Sequence, residues 1–189
     1  MDRRSVLPVA FAVEGALLLL AFGIGAATGD PPFARLRYDP TAMAIGAVGG
    51  VALLVALLPA MRSDWPPFSR LAEAVREVVR RYFAGSSLLE LAIVSALAGV
   101  AEEALFRGVV QTALAAAWSP VPAVLVAGAL FGLAHAVTVT YAVVATGVGI
   151  ALGILLVATG DLAAPIVTHA LYDFLALVWL VRIEGVREP

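Results

Sequence analysis

The chain has no cysteine, which excludes disulfides, thiolate chemistry and cysteine-ligated zinc. It has no lysine either. All 12 basic residues are arginine, a bias of genome composition that carries no mechanism by itself. Charge of either sign is scarce, at 14% of 189 residues, and the net charge of −2 is spread thinly. A nucleic-acid-binding footprint is therefore not expected. Histidine occurs only twice, at positions 135 and 169. What fills the chain is apolar: 62% of residues are hydrophobic and the mean hydropathy is +0.99. A soluble domain is nearer half apolar and a quarter charged, so the composition is that of an integral membrane protein.

Apolar runs divide the chain. Residues 6–28 form the first, interrupted only by Glu14. A cleaved signal peptide with a small-residue site at Ala26-Ala27-Thr28 is one reading. The run is long enough to span a bilayer, about 20 helical residues, and is read here as a retained first helix. Glu14 is assigned to the membrane interface and given no role. Residues 29–40, with Asp30-Pro31-Pro32 and Asp39-Pro40, read as a polar loop that neither helix enters. Residues 41–60 are the second span. Residues 64–85 differ in kind: Phe68, Leu71, Val75, Val78, Val79, Tyr82 and Phe83 recur at helical spacing, with Glu73, Arg76, Glu77, Arg80 and Arg81 opposite. That pattern predicts a helix lying at the membrane surface, its arginines reaching anionic headgroups.

Residues 88–117 follow, longer than a bilayer needs, which predicts tilt, a kink or projection. Ser119-Pro120-Val121-Pro122 reads as a tight turn. Residues 123–137, 140–158 and 162–180 are the fourth, fifth and sixth spans. The fold class is thus all-α, a polytopic helix bundle of about six transmembrane helices plus one interfacial amphipathic helix. It divides into two N-terminal helices (1–63), the amphipathic segment (64–87) and a helix bundle (88–182). Six spans put Arg3, Arg4, Arg62, Arg70, Arg76, Arg80, Arg81, Arg182 and Arg187 on one side and only Arg35 and Arg37 on the other. By the positive-inside rule both termini are cytoplasmic. Gly46/Gly50, Gly128/Gly132 and Gly149/Gly153 are spaced for close helix approach.

Against this background the polar residues of the later spans stand out, because an ionised group at bilayer depth costs roughly 2.5–3.5 kcal/mol on insertion scales and generally marks a functional site. Glu102, Glu103 and Arg107 share the third span. Glu103 and Arg107, four apart, occupy one helix face and read as a buried ion pair. Glu102 is rotated about 100° away and is free to point elsewhere. Phe131 and His135 are one turn apart on the fourth span, as are His169 and Asp173 on the sixth.

Two chemistries suit a free glutamate and two histidines. In one, Glu102 is the general base for a water molecule, since a carboxyl group in apolar surroundings takes up a proton more readily than one in water. His135 positions that water, and His169 with Asp173 stabilises the oxyanion formed when an amide carbonyl is attacked; no cofactor is needed. In the other, Glu102, His135 and His169 ligate zinc and leave a fourth position for the water. The absence of a helical His-Glu-x-x-His pair weakens the second reading.

Together the three segments resemble the CPBP family of intramembrane endopeptidases (CAAX proteases and bacteriocin-processing enzymes, also called ABI proteins), related to type 2 CAAX prenyl proteases. The motifs are Glu-Glu-x-x-x-Arg, Phe-x-x-x-His and His-x-x-x-Asn/Asp on separate helices. Here they read Glu102-Glu103-Ala104-Leu105-Phe106-Arg107, Phe131-Gly132-Leu133-Ala134-His135 and His169-Ala170-Leu171-Tyr172-Asp173, and the resemblance covers residues 88–180. It implies a glutamate-dependent peptidase of membrane-associated protein or peptide substrates. In that scheme Glu102 and His135 act on water, His169 and Asp173 form the oxyanion site, and Glu103, Arg107 and Phe131 support them. It also implies a multi-pass location in a bacterial inner membrane. Asp173 stands where members acting on prenylated proteins carry asparagine. An aspartate there donates a hydrogen bond only if protonated; otherwise it accepts one from His169 and orients the ring. The rival class is a non-catalytic membrane protein: an immunity factor, a scaffold, or a transporter using Glu102 and His135 as a proton relay.

Overall fold

The computed structural model describes residues 6–185, and no strand occurs among them. Arg3, Arg4 and Arg187, which entered the orientation count, lie outside the described residues. Seven helices follow one another: α1 (Leu7–Thr28), α2 (Pro40–Met61), α3 (Pro66–Phe83), α4 (Leu88–Ala117), α5 (Pro120–Ala134), α6 (Val139–Thr159) and α7 (Ala163–Ile183). The protein is an integral membrane protein built of helices. By length and apolarity α1, α2, α6 and α7 can each cross a bilayer, and α3 with α4 make a fifth candidate bent by 116°. The six crossings expected from the sequence exceed that count for two physical reasons. α4 carries Glu90, Glu102, Glu103 and Arg107, and α5 has only 15 residues, roughly 22 Å of helix against a hydrocarbon core of about 30 Å.

The helix ends follow local chemistry. Asp39 caps α2, its carboxylate accepting the N–H groups of Thr41 and Ala42 at 2.7 and 3.1 Å. Ser87 and Glu90 cap α4 reciprocally, and Gly160 ends α6 with φ of 65°. Pro40 does not stay in the loop but opens α2, and Pro120 and Pro122 open α5 rather than forming a turn. A proline in the first helical turn removes no hydrogen bond the helix would make. α5 consequently starts and stops early, leaving His135 just beyond its last turn.

The polar loop between α1 and α2 is fastened to the α6–α7 turn. Asp161, buried in that turn, accepts N–H bonds from Arg37, Asp39 and Ala163, all at 2.9 Å. The Leu162 N–H donates to the Arg35 carbonyl at the same distance. Burial alone would push the Asp161 carboxyl up, but the three amide donors and the nearby Arg37 charge outweigh it and hold its pKa below the ordinary aspartate value.

Glycines let the backbones meet. A methyl group at Gly46 of α2 would sit 2.5 Å from the Ala164 carbonyl oxygen of α7, and one at Gly128 of α5 would lie 2.9 Å from the Ile150 nitrogen of α6. The spacing seen in sequence therefore marks real helix crossings. The outer surface is apolar, with Leu19 75% and Val139 83% exposed, as a lipid-facing surface requires. α3 packs Leu71, Ala72 and Val79 inward. It is tied to the end of the chain by Arg76, which donates to Glu184 at 2.9 Å and to the Met61 carbonyl at 3.0 Å.

Candidate active site

α4 is not a uniform α-helix. Residues Ala104–Gln111 wind as a π-helix, a wider turn often found at functional sites. Glu103 is the last residue before it and Arg107 lies within it, both without side-chain exposure. Arg107 donates to Glu103 Oε1 at 3.1 Å and to the Gly149 carbonyl of α6 at 2.7 Å. Its guanidinium carbon lies 4.6 Å from the Phe131 ring centroid, within cation–π range. One turn on, Gln111 donates to the Gly153 carbonyl at 3.0 Å. These two rungs join α4 to α6 at positions where glycine leaves the approach open.

Glu103 has a second partner. Its Oε1 also meets His169 Nδ1 at 2.9 Å. If Glu103 is ionised it can only accept, so Nδ1 carries the hydrogen and Nε2 is turned towards Asp173 Oδ2, 3.4 Å away. The expected Glu103–Arg107 pair is present, but His169 completes a three-membered buried network that the sequence reading did not contain.

Glu102 points away from that network. Its Oε2 has no hydrogen-bond partner and lies 3.6 Å from His135 Nε2. The other ring nitrogen, Nδ1, faces the Phe131 carbonyl at 2.8 Å. Since a carbonyl can only accept, Nδ1 is the protonated nitrogen of the neutral ring and Nε2 presents a lone pair towards Glu102 and the cavity. Phe131 separates the two histidines: His135 stacks on it at 4.4 Å between centroids, and His169 meets it edge-on at 5.7 Å. A cavity of about 110 Å³ opens on Phe131, His135, His169 and Asp173, room for several water molecules.

The candidate catalytic residues and their three supporters thus lie on α4, at the end of α5 and on α7, in two groups that meet at Phe131: Glu102 with His135, and Glu103, Arg107 and Asp173 with His169. They fall inside residues 84–175, which match the sequence model of the Rce1-like family, described as type II CAAX prenyl endopeptidase Rce1-like. That segment, just under half of the chain, is similar to an Rce1-like domain. The family is one of peptide hydrolases of the CAAX type, in line with the resemblance carried by the three motifs. No curated protein and no solved structure matches the chain.

The Rce1-like residues do not assemble as a metal cradle: among the described residues no three histidine or carboxylate side chains are grouped to hold an ion. The geometry gives the reason. His169 Nδ1 is engaged by Glu103, its Nε2 faces Asp173, and Glu102 approaches only His135.

One acidic residue outside the Rce1-like segment joins the site. Glu14 of α1, given no role from the sequence, is buried in the bundle, 8% exposed, and lines a groove of about 400 Å³ together with His135, Tyr141, Tyr172 and Asp173. Being the one charge in the first apolar run, it carried a signal that could have found it.

Proposed function

We propose that this protein is an intramembrane endopeptidase in which Glu102 activates the hydrolytic water. The observation that carries the reading is the division of labour between adjacent glutamates: Glu103 Oε1 is shared by Arg107 and His169, whereas Glu102 turns an unpartnered Oε2 towards His135 Nε2, 3.6 Å away, although Glu103 Oε2 is unpartnered too. Water held by the His135 Nε2 lone pair attacks the substrate carbonyl carbon as Glu102 takes its proton. The carbonyl oxygen becomes an oxyanion, met by the Nε2–H of doubly protonated His169 with Asp173 orienting the ring. Glu102 then returns the proton to the amide nitrogen, the C–N bond breaks, and the carboxylic acid so formed gives its remaining proton to the amine, so that a carboxylate and an ammonium leave. No metal takes part in these steps.

The same reading has six crossings, α4 and α5 being the third and fourth, with α3 at the surface and both termini in the cytoplasm of a bacterial cell. Substrates are peptides or protein tails held at that membrane. The test is cleavage of a quenched peptide library by detergent-purified protein, wild type beside Glu102→Gln, with and without chelator. Cleavage lost by about 10²-fold or more in the variant and indifferent to chelator is the expected result. Full activity of Glu102→Gln would overturn the mechanism, and loss with chelator reversed by zinc would replace it with a metal mechanism.

A further inference from the structure

The groove that ends at His135 and Asp173 begins under α3. Val75, Val78 and Phe83 of α3, Leu177 and Leu180 of α7, and Glu14 and Ser95 line it together with the site residues. Glu14 comes from α1 and Ser95 from α4, each about two turns into its helix. Both are more than nine-tenths buried, and Glu14 Oε2 and Ser95 Oγ have no hydrogen-bond partner. Glu14 shares the groove with His135 and Asp173. Among the residues lining the groove none is lysine or arginine. Two of the four arginines of α3 are engaged elsewhere, Arg76 with Glu184 and Arg80 with Glu77.

We propose that Glu14 is a substrate-reading residue, taking the cationic side chain of an arginine or lysine in the peptide being cut. This deepens the peptidase reading above and rests on it. A buried carboxylate without a partner is costly, and a guanidinium or ammonium supplies both the missing donors and the missing charge. Glu14 and Asp173 on the groove wall, with Glu102 behind His135, leave that end of the groove short of positive charge. The apolar walls suit the methylene stem of such a side chain, which lies along hydrocarbon while its head is paired. Position follows from α4. Ser95 and Glu102 share a helix face two turns apart, roughly 10 Å along the axis. An extended peptide advances about 3.3–3.6 Å per residue, so the basic residue falls within about three residues of the scissile bond. Glu14 lies outside residues 84–175, so this preference belongs to the N-terminal helix rather than to the Rce1-like domain.

The experiment compares quenched peptides of one apolar sequence bearing arginine or its neutral isostere citrulline at each position within three residues of the cut. With wild type, the best arginine position should exceed citrulline by about tenfold or more in kcat/KM, the scale of one charge-assisted hydrogen bond, mostly through KM. In Glu14→Gln, which keeps the shape of the side chain, that ratio should collapse towards one. Size-exclusion elution checks that the variant is folded, and the arginine-to-citrulline comparison in wild type needs no variant at all. A wild-type ratio near one at every position, or a ratio that survives in Glu14→Gln, overturns the proposal. If wild type cleaves none of the peptides, the peptidase reading is what has failed. Fluorescence polarisation of the labelled arginine and citrulline peptides then decides: an arginine preference lost in Glu14→Gln upholds the groove assignment, and equal affinities overturn it.

Discussion

Replacing Glu103 by glutamine should unfold the protein at a markedly lower temperature than replacing its neighbour Glu102 in the same way. Glu103 and Arg107 have no side-chain exposure, and one Glu103 oxygen is shared by Arg107 at 3.1 Å and His169 at 2.9 Å. Glu103→Gln leaves the Arg107 charge buried against a neutral amide, and removing one partner of a buried pair costs about 3–5 kcal/mol. At about 2–4 °C per kcal/mol for a chain of this size, the midpoint should fall by roughly 6–20 °C. Glu102 has an unpartnered Oε2 and only a 3.6 Å approach to His135. Glu102→Gln should therefore stay within about 1 kcal/mol of wild type. The assay is thermal unfolding of the detergent-purified proteins followed by circular dichroism. A third variant, Glu103→Gln with Arg107→Met, removes the stranded charge and should recover most of the loss. Equal losses in the two single variants, or a larger one for Glu102→Gln, would refute the assignment of the two glutamates to different roles.

Asp161→Ala strands three amide donors and should cost roughly 2–4 kcal/mol, measured by the same unfolding assay. Because the folded-state pKa of Asp161 is depressed, the stability it supplies is complete above the unfolded-chain value, about 3.9, and is lost as pH falls through the folded value. Wild type should thus lose this contribution on acidification below about pH 4, and Asp161→Asn should lack that part of the pH dependence. Gly46→Ala forces α2 away from the Ala164 carbonyl and should destabilise by about 1–3 kcal/mol. Gly23→Ala, with open space around it, should be neutral or stabilising by up to about 1 kcal/mol. At the site, Asp173→Ala should lower kcat on a cleaved peptide by about 10²-fold, the scale of a lost oxyanion partner, while Asp173→Asn, which keeps a hydrogen-bonding group, should stay within about tenfold of wild type.

Much of this arrangement is legible in the chain because membrane helices obey strong constraints. Long apolar runs located α1, α2, α6 and α7 nearly to the residue, and the 3.6-residue recurrence of Leu71, Val75, Val78 and Val79 located α3. The motif residues could be assigned to one site since charge at bilayer depth must find partners. What escaped was rotation and phase. Whether His169 meets Glu102 or Glu103 depends on how α7 turns against α4, which no spacing within either helix encodes. The π-helical stretch at 104–111 shifts every later residue of α4 around the axis, so Arg107 and Gln111 face α6 in a way a regular helix would not present. Glu14 escaped for a similar reason: its direction is set by the packing of α1 on α4, and an isolated glutamate in an apolar run has no local partner to betray it.

The Arg107–Gly149 and Gln111–Gly153 rungs, with the Pro32 carbonyl seated on Gly108 and Asp161 tying down the loop above, have a consequence for the cell. A hydrolase inside a membrane has to be wet, and a wet path through the bilayer is a leak that would discharge ion gradients. In this bundle the groove lined by Glu14, His135 and Asp173 opens under α3, while the opposite half of α4 is bonded to α6 and capped by the loop. On the peptidase reading, these backbone contacts are electrical insulation beside a wet groove.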